Sequence, residues 1–401
     1  MFKESDVAFS FETDILGAGA YIREPHDNPE IPGIFMTSAF NVEDLDALEA
    51  RYATKGFCYN RYRNPNRATL CELVTYLEHG EQSISCSSGM GAISTALITL
   101  VKAGDHILAD RVMYSETKEA LEDILAKFGV ETSFIDFTNL EEAKAAIRPN
   151  TTVFYMETVS NPLITVPDIR ALADLAHANG AKMVVDNTFM TGYLFRPLDF
   201  GADVVVNSLT KFANGHSDTV CGAITGTKEF AMKCHHTQVL LGTQADPFSA
   251  WLTQRGIRTI ALRVQRQSDN ACALAAALEK SPYVKKVHHP SLESAPQHEL
   301  AHKQFGNNYG GMLSIELEDN RQKMNKFMRS LHFAHYAMTL GGYRTSLAYP
   351  VLSSHGSLTE EERQAIGITH GLLRISCGIE DTQDLVKDFL DALEAAYGED
   401  K

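Results

Sequence analysis

Between residues 63 and 256, short apolar runs alternate with stretches whose apolar positions recur every three to four residues. The runs SISC (83–86), HILAD (106–110), TSFID (132–136), TVFYM (152–156), MVVDN (183–187), DVVVN (203–207) and GAITG (222–226) read as strands. The amphipathic stretches between them, such as 115–129 and 166–180, read as helices. Strands alternating with helices predict an α/β fold built on a doubly wound, mostly parallel sheet, and such sheets bind ligands at the carboxyl ends of their strands. Residues 257–401 change texture: a long helical pattern over 259–280, strand-like pieces at 310–317 and 372–378, and a last helix over 382–398. We expect a smaller C-terminal α/β domain there, with its boundary inside a helix. Residues 1–62 are irregular, with one helix-like stretch at 42–53, and read as an arm. The expected division is therefore 1–62, 63–256 and 257–401.

Composition changes little in this picture. The 401 residues are 44% hydrophobic, an ordinary globular value. A formal net charge of -15 argues against nucleic acid or an anionic membrane as the main partner. The N-terminal residues lack a basic segment followed by an apolar one, and no apolar run is long enough to span a bilayer. Seven scattered cysteines without a C-x-x-C pair predict reduced thiols in a cytoplasm and no metal site.

Four signals sit where those strands end. Lys211 lies just past DVVVN, between the small hydroxyls Ser208 and Thr210 and the rest of SLTKFANGHSD. Such a lysine can lose its proton by burial and attack a carbonyl, although alone it also reads as a surface lysine. Asp186 ends MVVDN and could pair with a ring nitrogen, or simply cap a turn. Ser87, Ser88, Gly89 and Met90 lead from strand to helix, where backbone N–H groups can meet a phosphate. Tyr114 stands at the next junction and could stack on a planar ring. Together they describe one crevice suited to an anion, a ring nitrogen and an amine.

With FETDILGAG, YNRYRNPN, SSGMGAIS, ETVSNP, VVDNTF, SLTKFANGHSD and LLRISCGIED in order along the chain, the sequence resembles the Cys/Met-metabolism family of pyridoxal-phosphate enzymes. That family comprises fold-type-I enzymes such as methionine γ-lyase, the cystathionine lyases and cystathionine γ-synthase. The resemblance implies the fold-type-I transferase fold and pyridoxal 5'-phosphate carried as a Schiff base on Lys211. It assigns Asp186 to the pyridine nitrogen, Thr188 and Asn161 to the ring, and Gly89, Met90, Ser208 and Thr210 to the phosphate. Tyr114 becomes the ring-stacking tyrosine and acid to the leaving group, and Arg374 the holder of the substrate carboxylate. Tyr59 and Arg61 would reach the phosphate of a neighbouring subunit, which implies a homotetramer of two active dimers.

The substrate end departs from the family pattern. After Tyr114 the family usually has Gly and a small residue, or Cys in methionine γ-lyases, whereas this chain has Ser115 and Glu116. Where the family often reads S-L-G-G-V-E-S-L, this chain has Thr339 and then Tyr343, Arg344 and Thr345. Glu116 would suit a cationic tail such as the guanidinium-like group of canavanine, or it caps its helix. Arg344 would bind an anionic tail, pair with Glu116, or lie on a strand edge. The expected reaction is γ-elimination from a γ-substituted L-amino acid. The alternatives are γ-replacement on an O-acyl-homoserine, β-elimination from cystathionine or cysteine, and a catalytically inactive binding protein.

Overall fold

The computed structural model describes residues 10–17 and 30–398. The N-terminal leader reading and the last two residues of FETDILGAG lie outside the described residues. The first sheet has seven strands: β1 (Gln82–Cys86), β2 (His106–Asp110), β3 (Glu131–Ile135), β4 (Thr151–Glu157), β5 (Lys182–Asp186), β6 (Val204–Ser208) and β7 (Gly222–Gly226). Their order is β1-β7-β6-β5-β4-β2-β3, and β7 alone runs against its neighbours. Helices cover both faces, so β2 and β4 to β7 are buried on both sides and read as nearly unbroken apolar runs. Polar residues stand at both ends of these strands, and at the carboxyl ends Glu157 of β4 pairs in register with Asp186 of β5.

The ends of β5 and β6 are braced from behind. The buried carboxylate of Glu78, at the end of the Pro65–Glu78 helix, accepts from the Asn187 amide at 3.1 Å and the Asn207 amide at 2.9 Å. Burial raises that carboxyl to about 7.

A second sheet comprises β8 (Lys286–His288), β9 (Met312–Glu316), β10 (His335–Tyr336), β11 (Ser346–Ala348) and β12 (Leu372–Ser376), in the order β10-β11-β12-β9-β8. The Ile260–Leu278 helix joins the two sheets: Ile260 and Val264 pack in the first core, and Leu274 and Leu278 in the second.

One expected helix is irregular. The 115–129 stretch begins as a short α-helix, Ser115–Glu119, widens into a π turn over Ala120–Leu125 and tightens into a 3-10 turn over Ala126–Phe128. Residues 30–62 lie along the body, held by Trp251 donating to the Pro32 carbonyl at 3.0 Å and Asn66 donating to the Gly33 carbonyl at 2.7 Å. The Leu45–Ala53 helix in this segment buries none of its residues. Among the described residues, no helix is long and apolar enough to cross a membrane.

Candidate active site

A cavity of about 350 Å³ opens at the carboxyl ends of the first sheet. Each neighbouring strand contributes to it. Ser88, Gly89 and Met90 follow β1, Tyr114 and Glu116 follow β2, and Val159 and Asn161 follow Glu157 of β4. Asp186 and Thr188 come from the end of β5, and Ser208, Thr210 and Lys211 from the end of β6. The second sheet closes the space with Met338, Leu340, Ser353, Ser354 and Arg374.

The N-terminal end of the Gly89–Leu100 helix forms one wall. Ser88 caps it by accepting from the Gly91 amide at 2.9 Å, which leaves the Gly89 and Met90 N–H groups without acceptors inside the helix. A side chain at Gly89 would place its Cβ 2.7 Å from Ser208 Cβ, so only glycine lets these two segments meet. Two orphan amides, the helix dipole and the Ser208 and Thr210 hydroxyls make a cradle that fits a phosphate.

Lys211 sits at the floor. Burial, aided by the positive charge of Arg374 and opposed by Glu116, lowers its amine to about 8. Gly341, at φ +75°, crosses directly above it, with a hypothetical Cβ only 2.4 Å from the Phe212 nitrogen and 2.7 Å from the Lys211 carbonyl carbon. From below, the buried Arg263 donates to the carbonyls of Phe212 (2.9 Å) and Ala213 (3.1 Å), so the lysine loop is pinned on both sides.

Two carboxyl groups share the deep end. Asp186 Oδ1 accepts from the Thr188 amide at 2.9 Å and the Thr188 hydroxyl at 2.5 Å, which partly offsets burial and leaves its carboxyl at about 6. Glu157 is pushed well above the usual range by burial and by the neighbouring Asp186 charge. Two adjacent buried carboxyls do not readily ionise together, so the negative charge settles on Asp186. This arrangement fits a partner for a protonated ring nitrogen. Glu157 was not singled out from the sequence. The available signal was its position as the lone acid ending an apolar strand, the same position that marked Asp186.

Glu157 acts as a brace. Its two oxygens accept from the Tyr114 and Asn161 backbone amides, each at 2.8 Å, and Asn161 Oδ1 in turn accepts from Arg374 at 2.9 Å. Burial lowers the Arg374 guanidinium only to about 10, so it stays cationic. The Tyr114 phenol is pushed far up by burial and by the charge and hydrogen bond of Glu116. It is therefore a proton donor rather than a phenolate.

Four expected site residues lie elsewhere. Arg344 is exposed, with its guanidinium 5.6 Å from the centre of the Tyr343 ring, and neither lines the cavity nor forms an ion pair with Glu116 among the described residues. The turn before β11 directs it outward, away from the cavity of its own chain. Thr339 stands between the liners Met338 and Leu340 without lining the cavity. Arg61 donates to the Val239 carbonyl at 3.0 Å and packs on Tyr59 and Tyr62, so neither Tyr59 nor Arg61 enters the cavity of its own chain.

Known proteins share this sequence pattern and fold. Residues 13–394 match the model of the Cys/Met metabolism PLP-dependent enzymes. The chain is 39% identical over 367 residues to L-methionine gamma-lyase of Porphyromonas gingivalis, covering 90% of this chain and 92% of the relative. It is 38% identical over 386 residues to cystathionine beta-lyase of Lactococcus lactis, covering 96% and 99%. The crystal structure of cystathionine gamma synthase from Xanthomonas oryzae superposes with a TM-score of 0.92 at 33% identity, covering 98% of this chain and all of that one. The chain therefore belongs to the Cys/Met-metabolism enzymes, and pyridoxal phosphate is its cofactor.

Proposed function

We propose that this enzyme is a γ-lyase acting on an L-amino acid whose γ-substituent ends in a cation, with canavanine the fitting example. The observation that carries this reading is Glu116. Its carboxylate lines the cavity beside Tyr114, while Arg344 lies outside, so of the two departures from the family pattern it is the negative one that reaches the cavity. The products would be a 2-oxo acid, ammonia and the released tail.

Pyridoxal phosphate, when bound, supplies the electron sink. The chain supplies position and protons. Gly89, Met90, Ser208 and Thr210 would hold the phosphate, Asp186 would balance the ring nitrogen charge, and Thr188 and Asn161 would contribute to holding the ring. Arg374 clamps the substrate α-carboxylate as a bidentate pair. The Lys211 amine, lowered toward neutrality, moves protons at the α- and β-carbons, and the Tyr114 phenol donates one to the leaving group.

Tyr59 and Arg61 lie away from their own cavity, which supports their serving a neighbour's phosphate in a tetramer of two active dimers. Seven free cysteines support a reducing, cytoplasmic setting. The division at 62/63 and 256/257 is kept as part of this reading.

The test is a substrate panel on the holoenzyme: canavanine, methionine, homocysteine, cystathionine and O-acyl-homoserines with and without a thiol. Products scored are 2-oxobutanoate, homoserine, pyruvate and thioethers. The cation-tailed substrate should turn over best, and Glu116→Gln should lower its kcat/KM by about tenfold or more, the value of a charge-assisted hydrogen bond. Thioether formation from an O-acyl-homoserine as the fastest reaction would establish γ-replacement instead, and pyruvate from cystathionine would establish β-elimination.

A further inference from the structure

The segment 353–355 closes the cavity from the second-sheet side, and its hydrogen bonds dictate what it offers a ligand. Ser353 and Ser354 both line the cavity. The Ser353 hydroxyl donates to the Tyr349 carbonyl at 2.7 Å. Ser354 Oγ lies 2.9 Å from His355 Nδ1, and His355 Nε2 lies 3.2 Å from the Met113 carbonyl oxygen.

A carbonyl oxygen only accepts, so Nε2 carries the hydrogen. Burial, reinforced by the charges of Arg374 and Arg363, lowers the imidazole to about 4, so the ring is neutral and Nδ1 holds a lone pair. Ser354 must then donate to Nδ1. Both serine hydrogens are thus committed within the protein, and what remains for a ligand is lone pairs. Glu116 belongs to the same cavity: one of its oxygens accepts from the Ser115 hydroxyl at 2.7 Å, and the carboxylate can only accept when ionised. The Met113 contact also ties this segment to the turn that presents Tyr114 and Glu116.

We infer that Ser353, Ser354 and Glu116 form an acceptor-only recess that recognises a ligand tail rich in N–H donors, a guanidinium or an ammonium, with His355 the positioning residue that fixes the direction of the Ser354 hydroxyl. This rests on the reading of Glu116 above and extends it to a second wall. A tail that can only accept meets lone pairs on both walls and leaves them unpaired.

The experiment is calorimetric titration of the holoenzyme with L-arginine (donor tail), L-norleucine (apolar tail) and L-methionine sulfoxide (acceptor tail). Wild type should prefer arginine. Ser354→Ala should weaken arginine by about tenfold, the value of one hydrogen bond to a charged group, and leave norleucine unchanged. His355→Phe frees the Ser354 hydrogen to face the cavity, so arginine should weaken while methionine sulfoxide strengthens. Adding Ser354→Ala to His355→Phe should abolish that gain. Equal arginine affinity in wild type and Ser354→Ala overturns the inference, whether or not His355→Phe folds. Glu116→Gln tests the underlying reading separately: if it alone weakens arginine, only the serine wall fails; if it has no effect while the serine variants do, the Glu116 reading fails.

Discussion

Replacing Gly341 with alanine should destabilise the enzyme by about 2–5 kcal/mol and displace the lysine beneath it. Two contributions combine. A non-glycine residue in the left-handed region costs about 1–2 kcal/mol, and Gly341 sits at φ +75°. Its Cβ would also stand 2.4 Å from the Phe212 nitrogen and 2.7 Å from the Lys211 carbonyl carbon, in a loop whose next carbonyls, Phe212 and Ala213, accept from Arg263. Overpacking of this kind costs about 1–3 kcal/mol. Gly180→Ala is the control. Gly180 has φ +72° but nothing within 4 Å of a Cβ, so only the conformational part, about 1–2 kcal/mol, should appear. Guanidinium titration of both holoenzymes, followed by circular dichroism, gives the stabilities, and absorbance near about 420 nm reports the cofactor on its lysine. Only Gly341→Ala should also weaken cofactor retention. Equal losses in the two variants, or a Gly341→Ala enzyme with wild-type absorbance and stability, would refute the steric argument.

Further outcomes follow from the site. Cofactor uptake by the stripped enzyme needs the neutral Lys211 amine; because its value is lowered from 10.5 to about 8, uptake should accelerate as pH rises and level off above about 8. Removing the Glu116 charge by Glu116→Gln should move that midpoint lower, which stopped-flow absorbance would show. Glu157→Gln sets an amide N–H2 against either the Tyr114 or the Asn161 amide, so it should cost about 1–3 kcal/mol, seen mainly as higher KM because the Asn161–Arg374 contact that positions the carboxylate clamp shifts with it. Glu78 is raised from 4.5 to about 7 in the fold. Its neutral form thus favours folding below pH 4.5, and that stabilisation is lost as pH rises to about 7. Relative to Glu78→Gln, wild type should therefore lose denaturant resistance across that interval. Arg344→Ala should leave kcat/KM unchanged, since its guanidinium lies over Tyr343 and outside the cavity.

The parts of the fold that were legible share a physical cause. Strands buried on both faces must be apolar along most of their length, so β2 and β4 to β7 stood out, and the polar residues at their carboxyl ends pointed to the cavity. Lys211, Asp186, Gly89, Met90 and Tyr114 were visible for that reason. Glu157 obeyed the same rule, but its function depends on register with Asp186, and register is set by pairing between strands rather than within one. Ser353 and Ser354 lie in a loop far along the chain and reach the cavity only because the second sheet docks there. Arg344 shows the converse: motif position suggested a site residue, but the direction of a side chain at a turn depends on backbone geometry that a one-letter pattern does not encode. The π turn after Glu119 was likewise hidden, because its composition reads as an ordinary amphipathic helix.

The helix Ile260–Leu278 contributes its first turns to one core and its last turns to the other. A protease cut placed between the two sheets would have to divide that rod, and each fragment would lose part of its own interior. The two lobes should therefore melt as one cooperative unit rather than part along the chain's own seam.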